Sequence, residues 1–485
     1  MIPVVTVSEM RELDEHAHRE VGLQVLVERA GYAVTRYALE MLHGGYGHRV
    51  LVIAGKGNNG EDGRVAARIL RDRGAIVEVV APPELQQPMQ QFDLVIDAAY
   101  GTGFHGTYEP PAIPEGVPVL AVDIPSGVHG DTGEASGHPL QADATVVMAA
   151  MKPGLLQGDG ARLAGKLHLA DIGIDASRHA DIFLVEDGDV SLYLPERGRD
   201  AHKWESAVCI VAGSPGMTGA ASMCAKGALR SGAGMVRLMS ASPAPSGPAP
   251  AGSTLLDLHV PEVVSIALDA HQDWSRQVLD ESARCRSAVI GPGAGRSPET
   301  AREIRKLVKD LSIPMVLDAD GLYALGTGEE AAALLNGRNH EHLDADRPVP
   351  PVILTPHDGE AARLAGHPIG ANRIKETRRL ARFLGATVLL KGSTTVVAEP
   401  DGHAYVVTSG SPRLATAGTG DVLTGMIGAF LARGAGTLPA MAAALAAHVH
   451  GRASWLGRST GLTAMDLPDL VADWLSSLAN SMGPG

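Results

Sequence analysis

Short apolar runs alternate with longer amphipathic stretches along the chain, and this alternation predicts two successive α/β units. In the first part, the apolar runs predict strands at Val50–Ala54, Ile76–Val80, Asp93–Asp97, Val119–Asp123 and Thr145–Ala149. Helices are predicted around Ser8–Leu42 and at Arg64–Arg73. Because these short runs consist mostly of apolar and β-branched residues, they are typical of parallel strands that are covered on both faces.

The pattern pauses near residues 195–200 and then starts again. Further strands are predicted at Ala207–Ala212, Met235–Met239, Ala288–Ile290, Met315–Asp318, Val352–Leu354 and Thr387–Leu390. We therefore predict two domains, residues 1–197 and residues 198–485, which also suits a chain of 485 residues. The segment Asn339–Pro350 has few apolar residues and is predicted to be a loop.

Composition and charge exclude several classes of protein. A net charge of −14 argues against binding to nucleic acid or to a membrane surface. The three cysteines are scattered without metal-binding spacing, so we expect reduced thiols in a cytoplasmic protein. The acidic N-terminus does not resemble a targeting peptide, and the most apolar run is too short to span a membrane.

The most informative segment is 414–425, where small residues precede an acidic residue and a predicted helix. Apolar residues then fall on one helix face, at positions 422, 423, 426, 427 and 430. Glycines let backbone N–H groups approach a ligand, and a helix N-terminus adds partial positive charge. Asp421 at this anion-binding loop suits a base that takes a proton from a hydroxyl during phosphoryl transfer. The alternative is an acid that only stabilises the helix N-terminus.

Three more polar segments follow predicted strands of the second part. They are Gly291–Gly295, Thr355–Glu360 and Lys391–Thr395. Ligands of open α/β sheets bind at the carboxyl ends of the strands, so we expect these segments to lie at one site. Lys391 suits the binding of nucleotide phosphates, and the alternative is a solvated lysine in a loop. For His357, the alternative to a site residue is an imidazole that caps a helix.

The first part has a similar set of polar strand ends. The glycine-rich segment Gly55–Gly63 follows the first predicted strand, Asp97 leads into Gly101–Gly106, and Asp123 leads into an Ile-Pro-Ser-Gly turn. Each aspartate alone is explained as a loop-capping acid. Together the three strand ends predict a ligand site.

These first-part motifs, GNNGEDG, DAAYGTG and VDIPSG, resemble the epimerase domain of NAD(P)H-hydrate repair enzymes. The resemblance implies a Rossmann-like three-layer domain with Asp123 as the acid/base group. It also implies a potassium ion held by Asn59, Asp97 and Ser126. The implied substrate contacts are Asn58, Asn59, Gly60, Glu61, Asp62, Gly101, Thr102, Gly103, Phe104, His105, Gly106, Thr107 and Asp123. Glu61 stands where the family usually has glycine, and His105 where it has Arg or Ser.

The second-part motifs LATAGTGDVLTG, TPHDGE and KGSTT resemble the ADP- or ATP-dependent NAD(P)H-hydrate dehydratases of the ribokinase-like superfamily. The resemblance implies that Asp421 is the catalytic base and that magnesium accompanies the nucleotide. The implied nucleotide contacts are Lys391, Gly392, Ser393, Thr394, Thr395 and Gly420, and the implied substrate contacts are Ala220, Gly295, His357 and Asp421.

The two resemblances together imply a metabolite-repair enzyme. Its first domain would interconvert the R and S forms of NADHX and NADPHX, and its second would dehydrate the S form with ADP, which is favoured, or ATP. The preference between the two hydrates is open. Family habit also implies a homo-oligomer, a tetramer or larger. A small-molecule kinase and a non-enzymatic scaffold in the first domain are the rival hypotheses.

Overall fold

The computed structural model describes residues 1–82, 91–242, 260–270, 272–434 and 438–481, and the chain divides into two compact units. One comprises Ile2–Leu184 with Ala371–Arg373, and the other comprises Met1, Val185–Gly370 and Ile374–Gly485. Each unit combines helices with a largely parallel sheet, so the predicted α/β class is confirmed. The functional boundary after residue 197 stays a prediction. Among the described residues, no helix has both the length and the apolar character needed to cross a membrane.

The strands of the first unit are β1 (Ile2–Val4), β2 (Arg49–Ala54), β3 (Ile76–Val80), β4 (Leu94–Ala98), β5 (Val119–Val122), β6 (Ala144–Met148), β7 (Lys166–Ala170) and β8 (Ile182–Leu184). The unit is built on a six-stranded parallel sheet in the order β3-β2-β4-β5-β6-β7, and β1 pairs with β8 in antiparallel orientation. Its helices are α1 (Val7–Glu20), α2 (Leu23–Met41), α3 (Asn58–Asp72), α4 (Pro153–Leu156) and α5 (Gly158–Leu163). Strands β4, β5 and β6 are buried along their whole length, as parallel strands covered on both faces should be.

Helix α3 begins six residues earlier than the sequence predicted, at Asn58 instead of Arg64. The glycines lie within its first turns because the helix packs very close to the sheet. A Cβ atom at Gly63 would lie 2.6 Å from the Cβ of Ala98, and one at Gly60 would lie 2.0 Å from the carbonyl oxygen of Gly55. The glycine-rich sequence therefore serves close packing at a helix N-terminus as well as the turn.

The predicted single helix around Ser8–Leu42 is wrong, because two helices, α1 and α2, occupy this stretch. The break falls at Gly22, whose φ of 90° lies outside the helical region. A capping box formed by Thr6 and Glu9 fixes the start of α1.

The described strands of the second unit are β9 (Ala207–Val211), β10 (Met235–Ser242), β11 (Val264–Asp269), β12 (Ser287–Ile290), β13 (Met315–Leu317), β14 (Val352–Leu354), β15 (Thr387–Leu390), β16 (Thr395–Ala398) and β17 (Ala404–Val407). They form a mixed sheet in the order β17-β16-β15-β14-β13-β12-β9-β10-β11. The helices are α6 (Asp187–Tyr193), α7 (Thr218–Arg230), α8 (Trp274–Ser282), α9 (Pro298–Asp310), α10 (Asp320–Ala324), α11 (Gly328–Asp344), α12 (Asp358–Ala365), α13 (Arg373–Leu384), α14 (Thr419–Ala432), α15 (Pro439–Leu456) and α16 (Leu467–Ser481). Strands β9 to β15 pair in parallel, whereas β15, β16 and β17 are antiparallel.

The predicted loop Asn339–Pro350 is wrong in its first half, because helix α11 continues to Asp344. The physical reason is Arg338, which is 1% exposed and donates to the carbonyl oxygens of Pro350 and Leu311 at 2.8 and 3.2 Å. A buried guanidinium that binds two carbonyl groups holds the helix end in place, although the segment itself has few apolar residues.

Candidate functional sites

The first unit has an open pocket of about 370 Å³ at the carboxyl edge of its sheet. Strands β2, β4 and β5 end at this edge, and α3 begins there. Eight of the predicted contact residues line the pocket: Asn58, Asn59, Asp62, Gly101, Thr102, Gly103, Phe104 and Asp123. The converging strand ends are therefore brought together as predicted.

The other predicted contacts do not line this pocket. Gly60 is buried against the backbone of Gly55. Glu61 is exposed, and its carboxylate accepts from Arg64 at 2.8 Å instead of entering the pocket. Three residues of the loop after β4 are also exposed outside it: His105, Gly106 and Thr107.

A buried polar group lies beneath the pocket, at the end of β4. The carboxylate of Asp97 is fully buried and accepts from the Ser126 hydroxyl at 2.7 Å and from the Ser126 N–H at 3.0 Å. Burial raises the pKa of Asp97, and the two Ser126 hydrogen bonds oppose this rise. Both amide atoms of Asn59, Oδ1 and Nδ2, are buried without a hydrogen-bond partner among the described residues. An orphaned amide oxygen and a buried carboxylate are oxygen donors of the kind that a hard monovalent cation prefers.

Asp123 is held in a strained conformation directly after β5. Its φ is 66°, and its carboxylate Oδ1 accepts from the N–H of Met148 at 3.1 Å and from the ammonium group of Lys152. Lys152 is 1% exposed and also donates to the carbonyl oxygen of Met148 at 2.9 Å. The buried ammonium group of Lys152 therefore forms an ion pair with Asp123 and orients its carboxylate.

Two more carboxyl groups face the same pocket. Burial raises the pKa of Asp62 to about 8, and the charges of Asp123, Asp14 and Glu61 raise it further. Burial raises the pKa of Asp14 to about 6, with the charge of Lys152 opposing the rise. The pocket thus combines carboxyl groups of different proton affinity, as general acid–base catalysis requires.

In the second unit, the parallel strands β12, β13, β14 and β15 deliver polar residues to one edge of the sheet. Asp318, which follows β13, is buried and links two of these elements. Its Oδ1 accepts from Lys391 at 2.8 Å, and its Oδ2 accepts from the hydroxyl of Thr424 on α14 at 2.5 Å. The Thr424 hydroxyl also donates to the carbonyl oxygen of Gly420 at 2.8 Å, which ties the first turn of α14 to this cluster.

Asp421 lies in the first turn of α14, beside free backbone donors. The preceding Gly418 has a φ of 93°, and the N–H groups of Gly420 and Asp421 have no acceptor among the described residues. Burial raises the pKa of Asp421 to about 7, the charge of Asp318 adds to this rise, and Lys391 opposes it. A carboxyl group that titrates near neutral pH beside unpaired amides and an ammonium group suits proton abstraction coupled to phosphoryl transfer.

A second pocket, of about 530 Å³, adjoins this anion-binding turn. Five of the predicted nucleotide contacts line it: Lys391, Gly392, Ser393, Thr395 and Gly420. The sixth, Thr394, is buried outside the lining. The loop 410–415 and His450 of α15 complete the wall. Burial lowers the pKa of His450 to about 4, so its imidazole is neutral at physiological pH.

The predicted substrate contacts of the second unit lie in different settings. Ala220 packs close to Gly293, where an added Cβ would lie 3.0 Å from the Ala220 Cβ. The Gly295 N–H donates to Asp320 at 2.9 Å, and the charge of Asp320 helps to raise the pKa of Asp421. His357 caps α12, as the alternative hypothesis held, because its Nδ1 accepts from the N–H of Gly359 at 3.0 Å. Its imidazole is exposed, so its role as a substrate contact stays a prediction.

Sequence reasoning missed three residues that the structure brings into these sites: Lys152, Asp318 and His450. Asp318 directly follows β13 in a Leu-Asp-Ala-Asp-Gly segment and so occupies a strand-end position like those that revealed the other site residues. Lys152 lies in the loop after the fully buried strand β6, which ends at Met148. His450 had no comparable pattern, because it lies within an alanine-rich helix.

Both units thus have a site at the carboxyl edge of a parallel sheet, one with acid–base groups and one with a phosphoryl-transfer arrangement. Residues 208–474 match the family model described as NAD(P)H-hydrate dehydratase. Residues 23–89 and 81–154 match the model described as the YjeF-related protein N-terminus.

The chain is similar to curated relatives over nearly its whole length. The bifunctional NAD(P)H-hydrate repair enzyme Nnr of Moorella thermoacetica is 36% identical over 520 residues, covering 96% of this chain and 95% of the relative. The enzyme of the same name from Thermofilum pendens is 34% identical over 530 residues, covering 98% and 96%. Among solved structures, the ADP/ATP-dependent NAD(P)H-hydrate dehydratase of Bacillus subtilis, co-crystallized with ATP/Mg2+, is 28% identical. It covers 61% of this chain and 98% of that chain, with a TM-score of 0.48. The chain therefore belongs to the family of bifunctional NAD(P)H-hydrate repair enzymes, which combine an epimerase and a dehydratase domain.

Proposed function

We propose that this protein repairs both NADHX and NADPHX through two successive activities. The first unit interconverts the R and S forms at carbon 6 of the hydrated nicotinamide ring. The second unit dehydrates the S form at the expense of ADP, which is converted to AMP and phosphate, or of ATP. The observation that carries the proposal is the position of Asp421, which lies beside unpaired amides and Lys391 in a chain of this family.

In the second unit, Asp421 takes the proton of the carbon 6 hydroxyl while the hydroxyl oxygen attacks the terminal phosphate of the nucleotide. The raised pKa of Asp421 makes this carboxylate a stronger base than an ordinary aspartate. The N–H groups of Gly420 and Asp421, with the ammonium group of Lys391, stabilise the negative charge on the transferring group. Phosphate then leaves far more readily than hydroxide, and loss of a carbon 5 proton restores NAD(P)H.

The nucleotide occupies the pocket next to this turn, with its phosphates against Lys391–Thr395 and Gly420. The described residues contain no cluster of three or more histidine, cysteine or acidic side chains arranged to hold a metal ion. We therefore propose that magnesium enters as the complex of the nucleotide substrate and not as a resident metal. The second substrate, the S form of NAD(P)HX, lies against four residues: Ala220, Gly295, His357 and Asp421.

In the first unit, the hydrated nucleotide lies in the pocket, and Asp123 is the acid/base group. The orphaned amide of Asn59 and the buried carboxylate of Asp97 fit a potassium ion, and Ser126 would complete its side-chain ligands. A bound potassium ion would supply positive charge that offsets Asp97 and attracts a substrate phosphate. Glu61 and His105 do not line the pocket, so we expect these departures from the family pattern to leave the epimerase active.

The test is the recovery of NADH absorbance from a mixture of R and S hydrated NADH, with magnesium and either ADP or ATP. Complete conversion is expected, and the nucleotide that supports the faster conversion identifies the phosphoryl donor. Conversion that stops at the S fraction would contradict the epimerase and favour the scaffold hypothesis. No conversion with either nucleotide would favour a small-molecule kinase.

Two variants assign the steps to the units. Asp421→Asn should stop dehydration, whereas Asp123→Ala should leave the S fraction reactive and remove only the conversion of the R form. We also propose a homo-oligomer of at least four chains, which light scattering coupled to size-exclusion chromatography would test.

A further inference from the structure

Four side chains with carboxyl or ammonium groups line the first-unit pocket, together with His18 and Tyr100, and the charges of these four do not balance. Three are carboxyl groups, those of Asp14, Asp62 and Asp123, and one is the ammonium group of Lys152. Among the described residues, Lys152 forms an ion pair with Asp123 and with no other carboxylate, and it is almost completely buried. One cation offsets one of the three carboxylates, so the ionisation of all three carboxyl groups together would be costly.

Asp123 is the carboxylate with the cation. Its Oδ1 accepts both described hydrogen bonds, from Lys152 and from the N–H of Met148, whereas its Oδ2 has no partner among the described residues. The backbone N–H of Asp123 donates to the carbonyl oxygen of Val146 at 2.7 Å, which fixes the residue in its left-handed conformation. The lone pairs of Oδ2 therefore remain available to a proton of a bound substrate.

Asp62 is the opposite case. It lies on α3, is 8% exposed, and has no hydrogen bond or ion pair among the described residues. Its neighbours in charge are Asp123, Asp14 and Glu61, all acidic. A carboxyl group in this setting keeps its proton, in accord with its pKa of about 8. The pKa of Asp14 is raised less, because the charges of Lys152 and His18 oppose the effect of burial.

The substrate of the proposed epimerase requires such a pair. Carbon 6 of the hydrated ring bears a hydroxyl group and is also bonded to the ring nitrogen, so it is a hemiaminal carbon. A hemiaminal opens when a base removes the hydroxyl proton and an acid protonates the departing nitrogen. The opened form has a planar carbonyl carbon, which has lost its configuration.

We infer that Asp123 and Asp62 epimerise the substrate by opening and reclosing its ring, with Asp123 as the base and Asp62 as the acid. Asp123 Oδ2 takes the hydroxyl proton, the carbon–nitrogen bond breaks with its electron pair going to nitrogen, and the nitrogen takes the proton of Asp62. Rotation about the bond between carbons 5 and 6 presents the other face of the carbonyl group. The nitrogen then attacks this face and returns its proton to Asp62, while Asp123 returns a proton to oxygen. No oxidant or reductant is needed.

Lys152 is a positioning residue in this scheme, since its ammonium group contacts Oδ1 of Asp123 and orients that carboxylate. The inference rests on the proposed epimerase function and assigns the roles of residues within that same site.

The decisive variant is Asp62→Asn in the full chain, assayed on mixed R and S hydrated NADH with the nucleotide present. An amide is neutral, like the protonated carboxyl group, but it cannot deliver a proton. We expect kcat for the R form to fall by roughly 100-fold or more with little change in KM. Dehydration of the S form in the same sample should be unchanged. The matched control is Asp72→Asn at the exposed end of α3, which should leave both phases unchanged.

The pH profile separates a catalytic from a structural role of Asp62. Wild-type epimerisation should decline above about pH 8, where Asp62 loses its proton, and this alkaline limb should be missing from the residual rate of Asp62→Asn. An Asp62→Asn variant that epimerises at the wild-type rate with the same alkaline limb would overturn the inference.

A second measurement uses the unmodified protein. Early in a reaction in water labelled with heavy oxygen, ring opening should leave the original oxygen on carbon 6 of the epimerised product. Incorporation of one labelled oxygen in every turnover would mean that water leaves and adds again, and it would overturn the ring-opening route. A wild-type protein that accelerates no epimerisation at all would instead refute the proposed function of this unit.

Discussion

Asp421 must lose its proton before it can act as a base, so the dehydration rate should follow the ionisation of this carboxyl group. Burial and the charge of Asp318 raise its pKa to about 7, against an ordinary value of 3.8. Because the pKa is raised, the ionised fraction of Asp421 decreases as the pH falls toward and below 7. The rate should therefore fall as the pH falls through 7, where an ordinary aspartate would show no change.

The size of the effect follows from the ionised fraction. One pH unit below the pKa, roughly one tenth of a carboxyl group is ionised, so kcat/KM for the S form should decline roughly tenfold per unit below pH 7. A nucleotide phosphate also ionises at about pH 6, and its protonation would cause a similar decline in rate at acid pH. Asp318→Asn distinguishes the two, because it removes a negative neighbour of Asp421 and also the carboxylate that pairs with Lys391. Both changes lower the pKa of Asp421, so we expect the limb to move to lower pH by about one unit.

The assay is the initial rate of NADH recovery from purified S-hydrated NADH across this pH range, at saturating nucleotide. Asp421→Asn should lose roughly two to four orders of magnitude at every pH. The control is Asp310→Asn, which changes an exposed carboxylate of α9 and should shift nothing. An acid limb that stays in place in Asp318→Asn would show that the titrating group is not Asp421 and would refute the reasoning.

Three further predictions concern the phosphate site, the cation site and the packing of α14. Lys391→Met removes a charge-assisted contact of about 1.5–3 kcal/mol, so the KM for the nucleotide should rise roughly ten- to hundredfold, as measured by initial rates; an unchanged KM would mean that Lys391 does not contact the phosphates. Potassium should raise the thermal unfolding midpoint of the chain more than choline does at equal ionic strength, and Asn59→Ala should abolish the difference in calorimetry if the orphaned amide is a ligand. Gly425→Ala would place a Cβ 2.0 Å from the carbonyl oxygen of Cys224 on α7, so chemical denaturation should show a loss of about 1–3 kcal/mol together with slower dehydration. Gly337→Ala, in α11 with no atom within 4 Å of the added methyl group, is its control and should stabilise by about 0.5–1 kcal/mol.

Buried strands were the part of the fold that could be read most directly from the sequence. The strands β3, β14 and β15 have the predicted bounds, and β2, β4 and β12 differ from prediction by one residue at an end or at both ends. Strands β4, β12, β14 and β15 are buried along their length and are mostly apolar, so local composition is sufficient to recognise them. Strand β3 lies at the edge of its sheet and is recognised by its Ile and Val residues. The antiparallel strands β16 and β17 were not predicted, and they follow β15 after a short turn at the KGSTT segment that attracted a functional interpretation.

Helix bounds were less predictable because distant contacts decide them. The start of α3 depends on how closely Gly60 and Gly63 approach the neighbouring strands, and the end of α11 depends on the buried guanidinium of Arg338. Neither contact is visible in the local sequence. The glycine-rich start of α3 resembles a loop, and the end of α11 has few apolar residues.

The sequence by itself determined the class of fold, and it identified Asp123, Asp421 and Lys391 at the ends of strands or the start of a helix as candidate site residues. Residue type and position after a strand are local properties, and they are sufficient for these conclusions. Only the tertiary structure decided how deeply these side chains are buried and which charges surround them. The pKa of a carboxyl group depends on burial and on charges that come from distant parts of the chain, such as Asp318 beside Asp421 and Asp123 beside Asp62. Which aspartate is a base and which keeps its proton is therefore a property of the folded molecule.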